Sequence, residues 1–399
     1  MKYRYIFCLA AALTFLLTTA CAAQAEPALA TLPSLPVPET EEIPPETTTQ
    51  PLPETTAETL PPDPIRQLLD RMTLEERVGQ LFLARCPETD ALEDLSRYHL
   101  GGYILFGRDF EGRTPEELER LLASWQEAAA IPLLIAVDEE GGTVTRVSRE
   151  PAFRESRFLS PREYFRQGGL EKVLEAEEEK AALLSGLGIN VNMAPVADIS
   201  VTPGAFMYQR SMGQDAETTA AFVRETVRIM ARYDVGSVLK HFPGYGTNTD
   251  THNGSALDPR PLEQLEQEDL VPFRAGIEAG CGAVLVSHNI VTAFDPSLPA
   301  SLSPEAHRYL RQELGFEGVA ITDDLVMGAI MERFDPDEAA VQAVLAGNDL
   351  LCCTDYASQY EAVLAAVLDG RIPIDRLNEA VTRVLRWKQE LGLLRFSEG

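Results

Sequence analysis

The residues able to do chemistry are concentrated in one stretch, Lys240-His241-Phe242-Pro243-Gly244-Tyr245-Gly246-Thr247-Asn248-Thr249-Asp250-Thr251-His252, which holds two of the five histidines in the sequence. Asp250 and His252 stand two apart, so in an extended loop they project to the same side, and the carboxylate can orient the imidazole and raise its pKa. Such an imidazole can protonate a leaving oxygen and later deprotonate water, because its unperturbed pKa of about 6.5 lies near the working pH. Asp323 ends the run Gly318-Val319-Ala320-Ile321-Thr322 and is expected at the rim of a buried strand, facing a pocket, as a nucleophile. Asp324 alternates to the other side and is expected to make a structural hydrogen bond or to cap the following helix. A rim carboxylate with a histidine acid/base suits glycosyl transfer through a covalent glycosyl-enzyme, the retaining scheme. Lys240, His241 and Asp138 would then grip sugar hydroxyls. A metal site made from His241, Asp250 and His252 is the rival chemistry, but its spacing matches no familiar ligand signature and Lys240 would repel the cation. No cofactor is called for.

These groups need a scaffold that brings them together. Apolar runs of strand length recur at Leu81 to Ala84, Tyr103 to Phe106, Leu133 to Val137, Ile189 to Val196, Gly236 to Leu239, Ala283 to Val286, Val319 to Ile321 and Asp349 to Cys352. Between them lie segments of helical periodicity, among them Thr114 to Ala130, Leu170 to Leu187, Ala216 to Tyr233, Pro261 to Ala279, Ser303 to Leu314 and Pro336 to Ala346. Strand-then-helix alternation implies parallel strands, and about eight such units imply an α/β fold of the single (β/α)8 TIM-barrel type, whose chemistry gathers at the carboxyl ends of the strands. The unusual polar residues do cluster just after the runs: Asp138-Glu139-Glu140-Gly141-Gly142, Asp198, Lys240-His241, Ser287-His288-Asn289 and Thr322-Asp323-Asp324.

The amino-terminal part reads differently. Lys2 and Arg4 precede an uncharged apolar stretch from Ile6 to Ala20, too short for a membrane helix, and small residues lead up to Cys21. Residues 1–21 are expected to be an export signal with a lipobox that lipidates Cys21, the alternative being cleavage after Ala23-Gln24-Ala25. Residues 22–62, rich in Pro, Thr and Glu, cannot bury enough surface to fold and are expected to be a linker with a reach on the order of 100 Å at ~3.1 Å per residue. Residues 63–399 are then one catalytic barrel, anchored to a membrane through the lipid alone and facing the wall. The formal charge of −28, from 34 basic and 62 acidic residues, argues against a nucleic-acid partner. Cys86, Cys281, Cys352 and Cys353 lack metal-site spacing and are expected to be buried free thiols.

The motifs in this order resemble glycoside hydrolase family 3, in its single-domain bacterial β-N-acetylglucosaminidase branch. The resemblance runs from about Met72 to Leu394 through Asp138-Glu139-Glu140-Gly141-Gly142-Thr143-Val144-Thr145-Arg146, Asn192-Met193-Ala194-Pro195-Val196-Ala197-Asp198, Arg210-Ser211-Met212-Gly213, the Lys240 to His252 loop and Thr322-Asp323-Asp324-Leu325. It implies Asp323 as nucleophile, His252 as acid/base with Asp250 as its partner, and Asp138, Arg210, Lys240 and His241 as binders of the terminal sugar. Arg146 is carried over with them, although a salt bridge with Glu139 or Glu140 would explain it as well. Other family members place a glutamate acid/base in a second domain, for which this chain leaves no room. Two departures stand out: Tyr245 replaces a frequent histidine, and three residues rather than four separate Gly246 from Asp250. The expected substrate is a β-linked N-acetylglucosaminide, including peptidoglycan fragments, acted on by a monomer. Phosphorolysis is a second possibility, since a histidine does not repel phosphate as a carboxylate would. A glycan-binding lipoprotein without turnover is a third.

Overall fold

The computed structural model of the protein describes residues 63–248 and 250–396. The expected signal segment with Cys21 and the linker to residue 62 lie outside the described residues. Eight parallel strands carry the fold: β1 (Phe82–Arg85), β2 (Gly102–Leu105), β3 (Leu134–Val137), β4 (Val191–Asn192), β5 (Gly236–Phe242), β6 (Ala283–Val286), β7 (Val319–Thr322) and β8 (Leu351–Cys353). Each pairs with its chain neighbour, and β8 returns to β1 with Phe82 opposite Leu351. The last gap is closed by the parallel bridge Ile321–Leu350, where the Thr322 amide donates to the Leu350 carbonyl at 3.1 Å. The result is the (β/α)8 barrel expected from the alternation.

Side-chain alternation sorts the strand residues into two environments. Leu83, Ile104, Ala136, Val191, Val238, Leu285, Ile321 and Cys352 point inward and fill the barrel. Phe82, Tyr103, Ile135, Leu239, Val284 and Ala320 face the surrounding helices. At the amino ends of the strands the barrel is plugged by Val384 and Trp387 from the helix Ile374–Glu390. The indole lies so close that a Cβ on Gly282 would come within 1.9 Å of its Nε1, which is why β5 and β6 begin beside glycines at 236 and 282. Asp349, fully buried just before β8, takes ion pairs from Arg311 and from Arg376 and Arg383 of the plug helix, tying two outer segments to the last strand.

The elements depart from the sequence expectation where a proline intervenes. The expected helix from Pro261 to Ala279 forms as two, Leu262–Gln267 and Leu270–Glu278, because the Pro272 ring would clash with the carbonyl four residues earlier, that of Glu268. The expected strand from Ile189 to Val196 is regular only over Val191–Asn192. The Ala194 amide turns back to the Asn192 carbonyl and Pro195 has no N–H for the ladder. In the opposite direction, the helix read from Leu170 begins at Pro161, behind a Ser160/Glu163 capping box, with a break at Gly168-Gly169. The four cysteines of the described region are free and buried, as their spacing suggested. No helix among the described residues is long and apolar enough to cross a membrane.

Lys388, one turn from the end of the plug helix, is fully buried, and its Nζ donates to Gln80 Oε1 at 2.6 Å. Burial pushes its pKa from 10.5 down to about 7. Between those two values the unfolded chain binds the extra proton and the folded one does not, so this group makes stability rise with pH across that window, by up to roughly 1 kcal/mol per pH unit. Below it both states are protonated and the burial penalty is present in full. In urea titrations, Lys388→Met should therefore exceed the native protein in stability most at pH 6–7 and lose that advantage progressively as the pH rises toward 10.5; parallel stability curves would contradict the assignment.

Candidate active site

The carboxyl ends of β3, β4, β5 and β7 deliver the charged residues singled out by the sequence. Glu139, Glu140 and Asp138 follow β3, and period-2 alternation separates them. Glu139 turns away from the mouth: its carboxylate accepts the amides of Arg146 and Val147, both at 2.8 Å, and the Ser148 hydroxyl. Its own backbone is held on both sides by the Asn192 amide group of β4. Asp138 and Glu140 consequently face the same way, toward Lys240 on β5. Lys240 Nζ lies 2.7 Å from Asp138 Oδ1 and 2.6 Å from Glu140 Oε1. Arg210 completes the group, with Nε and Nη2 on the two oxygens of Glu140 at 2.9 and 2.7 Å.

Electrostatics in this network are decided by proximity rather than by solvent. Burial opposes the Glu140 charge, but Arg210 and Lys240 outweigh it and hold the carboxyl far below the usual carboxylate range. Burial likewise opposes the Lys240 charge, yet Asp138 and Glu140 raise it above the ordinary lysine value, so both members stay ionised. Next to them, His241 Nδ1 donates to Asp198 Oδ2 at 2.7 Å, which leaves Nε2 to accept from Arg210 Nη2 at 3.1 Å; this tautomer follows from the carboxylate accepting only. Asp198 also accepts the backbone amides of His241 and Tyr245.

Asp323 follows β7 and is partly buried, with Oδ1 accepting the Asp324 amide at 2.9 Å. Burial would raise its pKa, but the imidazoles of His288 and His241, the Asp324 amide and His252 together lower it below the ordinary aspartate value. Asp324 points elsewhere and receives Thr354 through its amide (3.2 Å) and hydroxyl (2.5 Å), along with the Val326 amide. His288, after β6, donates through Nε2 to the Asp324 carbonyl at 3.0 Å and meets Ser301 Oγ through Nδ1; burial lowers its pKa below the ordinary histidine value.

On the loop after β5, His252 Nδ1 lies 2.6 Å from Asp250 Oδ1, and the imidazole is 59% exposed. Its ring stacks edge-on near Phe206, at 6.4 Å between centroids, and Phe206 in turn lies under the Arg210 guanidinium at 5.5 Å. The pair thus stands over the network built on Glu140. His241 has its ring nitrogens engaged by Asp198 and Arg210, and no cluster of His, Cys, Asp or Glu able to hold a metal ion occurs among the described residues.

The ion pair considered for Arg146 is absent: its guanidinium pairs with neither Glu139 nor Glu140 and lies 5.6 Å from the Phe106 ring, which Arg85 approaches at 4.5 Å. Glu140 and Asp198, which the sequence marks only as polar residues following strands, are central to the geometry. The signal for Glu140 was present in its two-residue spacing from Asp138. For Asp198 only its position after a strand pointed to the site.

The barrel thus gathers carboxylates and imidazoles at the carboxyl ends of its parallel strands, the end at which barrels of this type carry their chemistry. Residues 73–387 match the model of the glycosyl hydrolase family 3 N terminal domain, and the chain belongs to that family. It is 32% identical over 330 residues to the beta-hexosaminidase LpqI of Mycobacterium tuberculosis, covering 78% of this chain and 82% of that protein. A beta-hexosaminidase of Xanthomonas campestris is 37% identical over 239 residues, 58% of this chain and 70% of that one. The structure of a family 3 beta-N-acetylglucosaminidase from Paenibacillus sp. superposes with a TM-score of 0.75 at 36% identity, over 82% of this chain and 65% of that chain.

Glu140→Gln would keep the shape of the network and leave Lys240 and Arg210 sharing one carboxylate fewer. Activity on any glycoside should fall by ~10²-fold or more, the scale of a lost charged positioning contact, with a lower melting midpoint. Near-native kinetics in the folded variant would show that the network is dispensable.

Proposed function

We propose that the protein is an exported, retaining exo-β-N-acetylglucosaminidase that removes terminal β-linked N-acetylglucosamine from peptidoglycan fragments or related glycans. The observation that carries the reading is the exposed Asp250–His252 pair standing over a buried polar floor, beside a carboxylate whose charge is favoured. The curated and solved relatives named above are beta-hexosaminidases and a beta-N-acetylglucosaminidase, which supports the sugar class.

In this scheme Asp138, Arg210, Lys240 and His241 hold the hydroxyls of the terminal sugar, with Glu140 keeping Lys240 and Arg210 charged and aimed. Asp323 Oδ2, the oxygen not bonded to the Asp324 amide, attacks the anomeric carbon as the glycosidic C–O bond breaks. His252 gives its Nε2 proton to the departing oxygen while Asp250 holds Nδ1. In the second half His252 takes a proton from water, whose oxygen displaces Asp323 from the same carbon, so configuration is retained. Arg146, stacked near Phe106, is assigned to the substrate side of the mouth. We assign the acyl anchor to Cys21, with residues 22–62 as spacer, and the active protein is a monomer.

Asp323→Ala should lower nitrophenol release from the aryl β-N-acetylglucosaminide by ~10⁴-fold or more, as loss of a covalent nucleophile does. Undiminished turnover would reject the assignment, and sugar 1-phosphate formed in phosphate buffer would turn hydrolysis into phosphorolysis. Mass analysis of the mature protein isolated from membranes should find a diacylated terminal cysteine corresponding to Cys21. An unmodified terminus beginning at Glu26 would replace the anchor with free secretion.

A further inference from the structure

His252 lies on the short turn Thr251–Asn253, yet one residue of that turn is as buried as the core. Thr251, between Asp250 and His252, is fully buried, and its hydroxyl meets the hydroxyl of Tyr245, itself 1% exposed. Tyr245 is fixed from several sides. Its amide donates to Asp198 Oδ1 at 2.8 Å, and its carbonyl accepts the Asn248 amide at 3.0 Å. Its ring meets His241 edge-on at 5.1 Å and Phe206 at 5.4 Å. The glycines on either side press against a second clamp. A Cβ on Gly244 would lie 2.5 Å from Asp269 Oδ1, and one on Gly246 2.5 Å from Arg260 Nη2, while Arg260 bridges Asp258 and Asp269 at 2.7 and 2.6 Å. Gly246 also has φ of +54°, a conformation that disfavours a side chain.

Asp198 therefore holds His241 by its side chain and Tyr245 by its backbone, and Tyr245 alone among the described residues passes that anchorage on to Thr251 by a side-chain hydrogen bond. We propose that Tyr245 is a positioning residue, whose hydroxyl pins Thr251 and thereby sets where the Asp250–His252 pair meets the leaving group. This rests on the reading of His252 as acid/base. Burial, and after it the nearby Asp323 charge, raise the Tyr245 pKa above the ordinary tyrosine value, so the phenol keeps its proton and serves as a neutral hydrogen-bonding group. The Tyr245 side chain thus spans from the Asp198 carboxylate, which holds its backbone, to the turn at Thr251.

A residue that acts through the acid should matter more when the leaving group needs a proton. The test compares kcat/KM on chitobiose, whose sugar leaving group depends on protonation, with the nitrophenyl glycoside, which depends on it less. His252→Ala comes first: equal losses on the two substrates would remove the acid assignment and the positioning role with it. Given an excess loss there, Tyr245→Phe should show one in the same direction, with chitobiose falling ~10–100-fold further than the aryl glycoside and mainly in kcat. Thr251→Val should behave alike, Thr251→Ser should lose less, and the double variant Tyr245→Phe/Thr251→Val should lose little more than either single one, because both remove one bond. Equal losses on both substrates, or losses that multiply in the double variant, would overturn the proposal while leaving His252 as acid. Should Tyr245→Phe fold poorly through its orphaned threonine hydroxyl, the double variant, which orphans neither group, gives the same substrate comparison.

Discussion

The site is organised by one buried carboxylate. Glu140, with almost no surface, is shared between Lys240 and Arg210 and brings the two cations together. Removing ions from water costs several kcal/mol each, and the mutual attraction offsets this only when every partner is in place. The network is complete: Lys240 has two carboxylates, Glu140 has both oxygens occupied, and Arg210 reaches on to His241. That completeness fixes the local geometry of three strand ends at once. Asp138 and Glu140 leave β3, Lys240 leaves β5, and between them Asn192 of β4 clamps the Glu139 backbone, so that the residues on either side of it must face Lys240. A barrel mouth built this way is rigid because loosening any one element would strand a charge.

Asp198 extends the same logic to neutral groups. Its carboxylate selects the His241 tautomer that donates from Nδ1, and this makes Nε2 an acceptor for Arg210. Through Tyr245 it also reaches the loop beyond β5. The polar floor proposed to hold the sugar and the turn that carries His252 are thus tied to one buried side chain. A shift in either would be felt by the other, through contacts short enough to transmit it.

The sequence exposed the barrel because its strands are short apolar runs separated by long amphipathic segments, a pattern that survives errors of a residue or two at each end. The break at Glu268 and the shortened β4 were also written in the chain, as Pro272 and Pro195, but a periodicity count treats proline as one residue among many, whereas its missing N–H and its ring act on particular neighbours. Within Asp138-Glu139-Glu140 three acids of similar chemistry differ only in direction, and that direction depends on the turn at Gly141-Gly142, where the Gly142 amide donates to the Phe158 carbonyl. Arg146 shows the opposite failure: a plausible ion pair with Glu139 is absent because backbone amides of the same turn, Arg146's own among them, occupy that carboxylate first. Long-range contacts of this kind cannot be counted from spacing.

The two groups proposed to make and break bonds sit in environments suited to different demands. A nucleophile must be ionised at the moment of attack and must not move, and Asp323 is placed accordingly, on the end of a strand, with an amide on one oxygen and its charge favoured by the groups around it. An acid/base must change its protonation twice in each cycle and accommodate a leaving group whose shape varies, so a rigid, dehydrated position would hinder it. His252 stands exposed on a short turn, tied by Asp250 at one nitrogen and leaving the other to the substrate. The turn is nonetheless not free, since its middle residue is buried against Tyr245. In the proposed scheme, exposure of the imidazole and burial of its neighbour would together let the proton exchange with solvent while the ring keeps its place at the mouth, which a wholly buried or a wholly mobile histidine could not do.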